Sequence, residues 1–354
     1  DKLAKEPHIF THPIDMRRGP SPFDDLRALW LWVRLLRRVR PDVVSVGTPK
    51  AGLLGAVSAK LVGVKHRVYL LRGLRLETST GVRRAILAIV ERLTMRAATR
   101  VLAISPSLAD RAVELELLPR EKVSVLHHGS SNGIDTSEFN PRRFRAVETD
   151  LLRREVGIPP VVPVVGFVGR LTRDKGLFVL AEALELLADR SIPFHALIVG
   201  GVDDVTGDAA IERLKRNGIP VSITGHVSEP AHYYALMRLL CLPSFREGFG
   251  NVIIEASSME IPVVATAATG VVDAVNDCKT GLLSAVGDAE QLADNLARLL
   301  TDAECANRMG RAGRAWVLDR FERQDVQRSY ADDLEALITE GSGRADPQAG
   351  LSAR

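Results

Sequence analysis

Two acids flank a glycine-rich turn in P-S-F-R-E-G-F-G-N-V-I-I-E-A-S-S-M-E-I-P (243–262). Glu247 stands before the turn and Glu255 lies in the apolar run after it, with seven residues between them. Leu239, Leu240, Cys241 and Leu242 read as a strand ending at this turn, and the run from Asn251 reads as a helix opening from it. Backbone N–H groups left free at a helix start attract anions. Carboxylates are poor partners for an anion, but they accept hydrogen bonds from sugar hydroxyls, two at a time. Gly248 and Gly250 let the main chain come close to a ligand. A plain surface turn would explain either acid alone, one solvated and the other favoured near a helix N-terminus. A capping box does not fit: with Asn251 as N-cap the acid is wanted three residues on, and Glu255 is four on. The anion site beside two acids favours a ligand that is both anionic and rich in hydroxyls.

A second cluster has the complementary charge. Gly169-Arg170-Leu171-Thr172-Arg173-Asp174-Lys175-Gly176 joins the apolar strand 164–168 to a helix over 177–190. An Arg fork takes two phosphate oxygens and a Lys adds a point charge, so an Arg and a Lys fixed near a helix start can clamp a diphosphate; the plain alternative for this stretch is a solvated basic loop. The strand 194–199 ends in Gly200-Gly201, where backbone can approach a ribose or base, and 221–224 leads into Gly225-His226-Val227. In the front half, Arg72-Gly73-Leu74 follows the strand 64–71 at its carboxyl end, where an active-site loop would lie. His127 and His128 are rejected as a metal pair, since sequence neighbours point apart and no third ligand has useful spacing. Asp203-Asp204 imitates a metal motif but reads as solvation of a loop.

The elements that must hold these residues alternate strand and helix. That order argues for parallel α/β sheets, and 354 residues suggest two domains. The front half shows a short strand at 8–13, a helix at 24–40, a strand at 42–46, a small-residue turn opening a helix to 61, a basic amphipathic helix at 82–98, a strand at 100–104 capped into a helix by Ser105, and a last strand at 122–126. Residues 140–160, with Pro141, Pro159 and Pro160, read as an interdomain linker. Residues 1–150 carry 26 Lys+Arg against 16 Asp+Glu, and the remainder 21 against 28. The basic front half is suited to an anionic partner. Nucleic acid lacks any supporting motif, so a bilayer surface is the better candidate. The helix at 24–40, with two Trp and five Arg, suits either lying on anionic lipid or packing on its own sheet. Three cysteines without metal-type spacing read as reduced thiols, and no apolar run approaches the roughly 18 residues of a membrane span.

The paired acids resemble the signature of family-4 retaining glycosyltransferases of the GT-B fold. The stretches G-F-V-G-R-L-T-R-D-K-G-L (166–177), H-A-L-I-V-G-G (195–201), T-G-H-V (224–227) and T-G-L-L (280–283) are similar to that family's donor-domain landmarks, in the same order. The resemblance spans 161–335 and is looser over 1–150. It implies two Rossmann-like doubly wound domains with a cleft between them. The acceptor domain is 1–150, the donor domain 151–320, a helix at 321–340 crosses back, and 341–354 is a disordered tail. The apolar strand, Gly-rich loop and helix that open such a fold are not seen at the front, so the first domain is expected to be truncated.

By the same resemblance, Arg170 and Lys175 hold the donor diphosphate and Glu247 the sugar hydroxyls near carbons three and four. Glu255 holds the ribose. Gly169, Gly200, His226, Val227, Phe249, Gly250 and Asn251 line the donor site. Asp273 and Val275 belong to a lid. Gly133, Asp135 and Phe139 match a stretch between the domains. Many relatives carry a His where Arg72-Gly73-Leu74 stands; the R-G-L form resembles the subgroup that builds capsules and related glycans on polyprenyl diphosphate. The implied reaction moves a hexosyl or N-acetylhexosaminyl group from a nucleotide-diphosphate sugar, uridine-linked before guanosine-linked, to a polyprenyl-linked glycan. No cofactor or metal is implied, and the implied place is the cytoplasm, peripheral on the inner face of the plasma membrane. The competing expectations are a GT-B enzyme acting on a small acceptor and a non-catalytic nucleotide-sugar-binding fragment.

Overall fold

The computed structural model describes residues 7–17, 19 and 21–342. Of the tail expected over 341–354, residues 341 and 342 are helical and the rest lie outside the described residues. The front half runs α1 (Pro22–Val39), β1 (Val43–Val46), α2 (Pro49–Val62), β2 (His66–Leu71), α3 (Gly81–Ala97), β3 (Arg100–Ala103), α4 (Pro106–Glu114), β4 (Val123–Val125) and α5 (Ala146–Glu155). Its four strands are parallel, in spatial order β1-β2-β3-β4. Right-handed crossovers between strands laid down in one direction put their helices on one face. Accordingly α1 packs on α2, and α2 on α3. Proline at the first helical position starts α1, α2 and α4, where its missing N–H costs nothing.

One front-half expectation is corrected. Residues 9–13 form no strand: Pro13 cannot donate, and no neighbouring strand offers a ladder. The stretch 140–160, read as an interdomain linker, is structured. It holds a 3-10 turn (Pro141–Arg143) and α5, with Leu152 packed on the core and Ile158 buried. Its prolines bracket a helix and do not break it.

The back half runs β5 (Val164–Val168), α6 (Leu177–Asp189), β6 (His195–Val199), α7 (Val205–Arg216), β7 (Val221–Gly225), α8 (Ala231–Tyr234), β8 (Leu239–Leu242), α9 (Asn251–Ser258), β9 (Val263–Thr266), α10 (Val271–Ala274), β10 (Gly281–Ser284), α11 (Ala289–Thr301), α12 (Ala303–Arg320) and α13 (Arg323–Ser342). β5, β6, β8 and β9 are buried along their whole length, as continuous apolar runs must be when helices cover both faces. The six strands are ordered β10-β9-β8-β5-β6-β7. The chain therefore leaves β5 in one direction and returns on its other side at β8. Ligands in open α/β sheets bind at such a reversal, outside the carboxyl ends of the strands. The two loops that emerge there are 169–176 and 243–250.

The halves are joined twice. Ile134 bridges Glu322, with Ile134 N–H donating to Phe321 O at 2.8 Å and Arg323 N–H to Ile134 O at 2.9 Å. α13 then crosses to the front sheet, where Tyr330 meets Ser45 at 2.8 Å and Asp333 meets Arg100 at 2.6 Å. Among the described residues no helix is long and apolar enough to cross a membrane.

Candidate active site

The loop after β5 is held against the loop after β8 by backbone and side chain together. Gly176 has φ 71°, and a Cβ there would stand 1.9 Å from Pro243 O, so only glycine lets the loops meet. Phe245 N–H donates to Asp174 O at 2.9 Å. Asp174 accepts from Thr172 Oγ1 at 2.6 Å and from Arg246 Nη2 at 2.7 Å. Burial alone would raise the Asp174 carboxyl; the Thr172 hydrogen bond and the charges of Arg246 and Lys175 outweigh it and hold it below its ordinary value. This frame brings Lys175 Nζ to 2.5 Å from Glu247 Oε1, with Ser244 Oγ donating to the same oxygen at 2.8 Å. Both side chains of the ion pair are largely buried, at 17% and 12% exposure. A cation and an acid from opposite sides of the reversal thus share one site.

Glu255 stands apart from that pair and accepts from Tyr234 Oη at 2.7 Å. Burial raises its carboxyl, with the Tyr234 hydroxyl pulling the other way. The N-cap of α9 is Gly250, at φ 83°, and not Asn251. Glu255 therefore sits in the second helical turn, out of reach of any cap. Asn251 instead meets Ser130 Oγ of the front half at 3.4 Å.

Arg170 is not gathered with Lys175. Its guanidinium pairs with Asp203 at 2.8 Å, and both are exposed, at 65% and 52%. Asp204 caps α7 through Thr206 and Gly207 N–H and also accepts from Arg173 N–H at 3.2 Å. The Asp203-Asp204 pair thus fastens two loops, a correction to its reading as loop solvation. Gly169 and Gly200 lie at adjoining strand ends, and a Cβ on Gly200 would fall 1.8 Å from Gly169 O. His226 lies beside Gly201. With Val227 it lines an open depression of about 490 Å³ bounded by Phe144 and Tyr233.

The front half closes over these loops. A Cβ on Gly248 would lie 2.2 Å from Arg72 O and 2.8 Å from Ile104 Cδ1, and one on Gly73 would lie 3.8 Å from Gly248. The missing side chain of Gly248 therefore admits the front half's main chain, where the sequence suggested room for a ligand. Ser105 Oγ donates to Gly248 O at 2.8 Å. Thr269 Oγ1 donates to Glu77 Oε1 at 2.7 Å. Arg72, at this seam, is itself exposed.

Residues 162–302 match the family model described as glycosyl transferases group 1, and 3–129 match a glycosyl transferase 4-like domain. The Staphylococcus aureus protein named capsular polysaccharide biosynthesis glycosyltransferase CapM is 32% identical over 346 residues, covering 97% of this chain and 89% of that one. The chain is a family-4 glycosyltransferase of the GT-B fold. The glycosyltransferase is also 30% identical to a 2-deoxystreptamine glucosyltransferase of Streptomyces kanamyceticus, over 83% of this chain and 77% of that one. In fold it resembles the crystal structure of Anabaena Alr3699/HepE in complex with UDP-glucose, with a TM-score of 0.76, 22% identity and coverage of 89% and 84%.

In this glycosyltransferase the seam contains residues that sequence reasoning passed over. Ser107 donates through both N–H (3.0 Å) and Oγ to Asp273 Oδ2, and its Oγ accepts from Gly270 N–H at 2.7 Å. Arg246 reaches Thr78 Oγ1 at 3.0 Å while holding Asp174. The only signal for Arg246 was its place beside Glu247. Nothing local marked Ser107, whose partner lies 166 residues away.

Proposed function

We propose that the enzyme transfers a hexosyl or N-acetylhexosaminyl group, with retention of configuration, from a uridine-diphosphate sugar to a polyprenyl-diphosphate-linked glycan of a cell-surface polysaccharide. The observation that carries this is the Lys175–Glu247 pair, one cation and one hydroxyl acceptor at a single crevice. In the reaction the bond from the sugar's anomeric carbon to the diphosphate oxygen breaks, and its electrons stay on the diphosphate. The acceptor oxygen takes that carbon, and its proton passes to the leaving phosphate. Lys175 and helix-start N–H groups stabilise the charge that develops, with Arg170 turning in from Asp203. Glu247 exchanges its ammonium partner for sugar hydroxyls, and Glu255 holds the ribose. No divalent cation is required in this scheme. The UDP-glucose complex of the fold relative supports the donor, and the capsular relative supports the glycan. Arg72 at the seam suits a lipid diphosphate.

A small hydroxylated acceptor is the second reading, favoured by the similarity to the 2-deoxystreptamine glucosyltransferase. A thermal-shift panel of nucleotide sugars tests the site. One uridine-linked donor should stabilise the parent but neither Glu247→Ala nor Arg170→Ala. An equal response from all three proteins would overturn the assignment.

A further inference from the structure

The outward face of α3 has an apolar stripe that is exposed among the described residues. Val82, Ile86, Ile89 and Leu93 are 76%, 55%, 54% and 47% exposed. Their spacing of four, three and four places them on one side of the helix. Arg83 and Arg84 are exposed beside the stripe, and Arg96 lies at its end. The one acid of α3, Glu91, points the other way: it is 3% exposed and accepts from Tyr69 Oη at 2.9 Å.

The neighbouring helices continue the pattern. α2 has no acid at all. The two acids of α1 are engaged, Asp24 with Arg17 at 2.9 Å and Asp25 with Lys50 at 2.5 Å. Phe23, Leu26 and Trp30 of α1 are exposed at 88%, 65% and 57%. The layer α1–α2–α3 therefore shows solvent apolar side chains among arginines, with no unengaged acid on its helices.

We propose that the α3 face docks this enzyme onto a bilayer containing anionic lipid, with Val82, Ile86 and Ile89 entering the interface and Arg83 and Arg84 meeting phosphates. Charge decides between occupants. A second copy seated two-fold on α3 would bring the arginines against their own images, whereas an anionic surface neutralises them. Position agrees: α3 begins within ten residues of Arg72-Gly73, so a docked α3 sets the seam beside the lipid surface. The inference deepens the lipid-linked acceptor reading and rests on it for its purpose, while its test uses no donor and fails or succeeds separately.

Co-sedimentation of the full chain is measured with vesicles of phosphatidylcholine alone and with phosphatidylglycerol added. The parent should sediment only with the second kind. I86E/I89E and R83A/R84A, each checked for an unchanged Tm, should bind roughly tenfold or more weakly. The proposal is overturned if the parent stays in solution, if either folded variant binds as the parent does, or if I86E/I89E instead dissolves a dimer of the parent.

Discussion

Lys175 Nζ and Glu247 Oε1 stand 2.5 Å apart across the point where the back sheet reverses its strand order. Each neutralises the other's charge in a largely buried crevice. In the proposed reaction a diphosphate would compete for the ammonium, and sugar hydroxyls for the carboxylate. On that reading, substrate would divide the pair.

Separate substitutions should reveal the division. Lys175→Ala and Glu247→Gln are each expected to lower kcat/KM by about 10²–10³. The double variant should lose far less than the product of the two, because each single change strands the other charge. Losses that multiply cleanly would mean that the two residues act independently.

Two glycines make the same kind of close approach with opposite consequences. Gly176→Ala drives a Cβ into Pro243 O within the back half and demands a left-handed alanine, so it should cost about 1–3 kcal/mol in urea unfolding, or more. Gly248→Ala drives its Cβ into Arg72 O of the other half. It should leave the back half's stability nearly intact and lower transfer roughly tenfold or more by keeping the seam apart. A large loss of Tm in the second variant would contradict this.

Ser107→Ala removes the hydroxyl's bonds to Asp273 and from Gly270 N–H, while the Ser107 N–H bond to Asp273 and the cap of α4 by Ser105 stay. Stability should change by about 1 kcal/mol or less, and kcat/KM should fall clearly more than that figure would imply. Asp273→Asn, which can still accept from the Ser107 hydroxyl, should be the milder of the two. The reverse ranking in steady-state assays would point away from the seam.

Glu91 makes stability depend on pH. Burial raises its carboxyl from 4.5 to about 7, even though the Tyr69 hydroxyl favours the charged form. The folded state therefore holds this proton more tightly than the unfolded chain. The resulting stability is complete below pH 4.5 and is lost as pH rises through 7. The full loss is about 3 kcal/mol. Glu91→Gln keeps an acceptor for Tyr69 and has no proton to lose. Denaturant unfolding at pH 5 and pH 8 should show the parent weakening relative to the variant, and parallel curves would refute the assignment.

Legibility followed locality. Val164–Val168 and Leu239–Leu242 could be read as strands because burial on both faces leaves an unbroken apolar run. The same runs located the Lys175 and Glu247 loops. Gly250 as the cap of α9 was hidden, since a φ of 83° cannot be told from neighbouring residue types when Asn follows. Arg170 looked free because its partner Asp203 lies 33 positions away on another loop. Gly248 is the clearest case. A glycine before a helix suggests ligand room, and only the docked front half shows that a carbonyl fills the gap. Prolines at 141, 159 and 160 marked a linker but gave no sign of the helix α5 between them.

The Ile134–Glu322 bridge binds the outgoing chain to the returning one. Both crossings of the chain between the halves are thereby tied at one spot. Phe321 rests on Phe249 with ring centres 5.0 Å apart, so the fulcrum adjoins the acid-bearing loop. A rotation of the halves about that fulcrum would displace Glu247 least and the far edge of the crevice most.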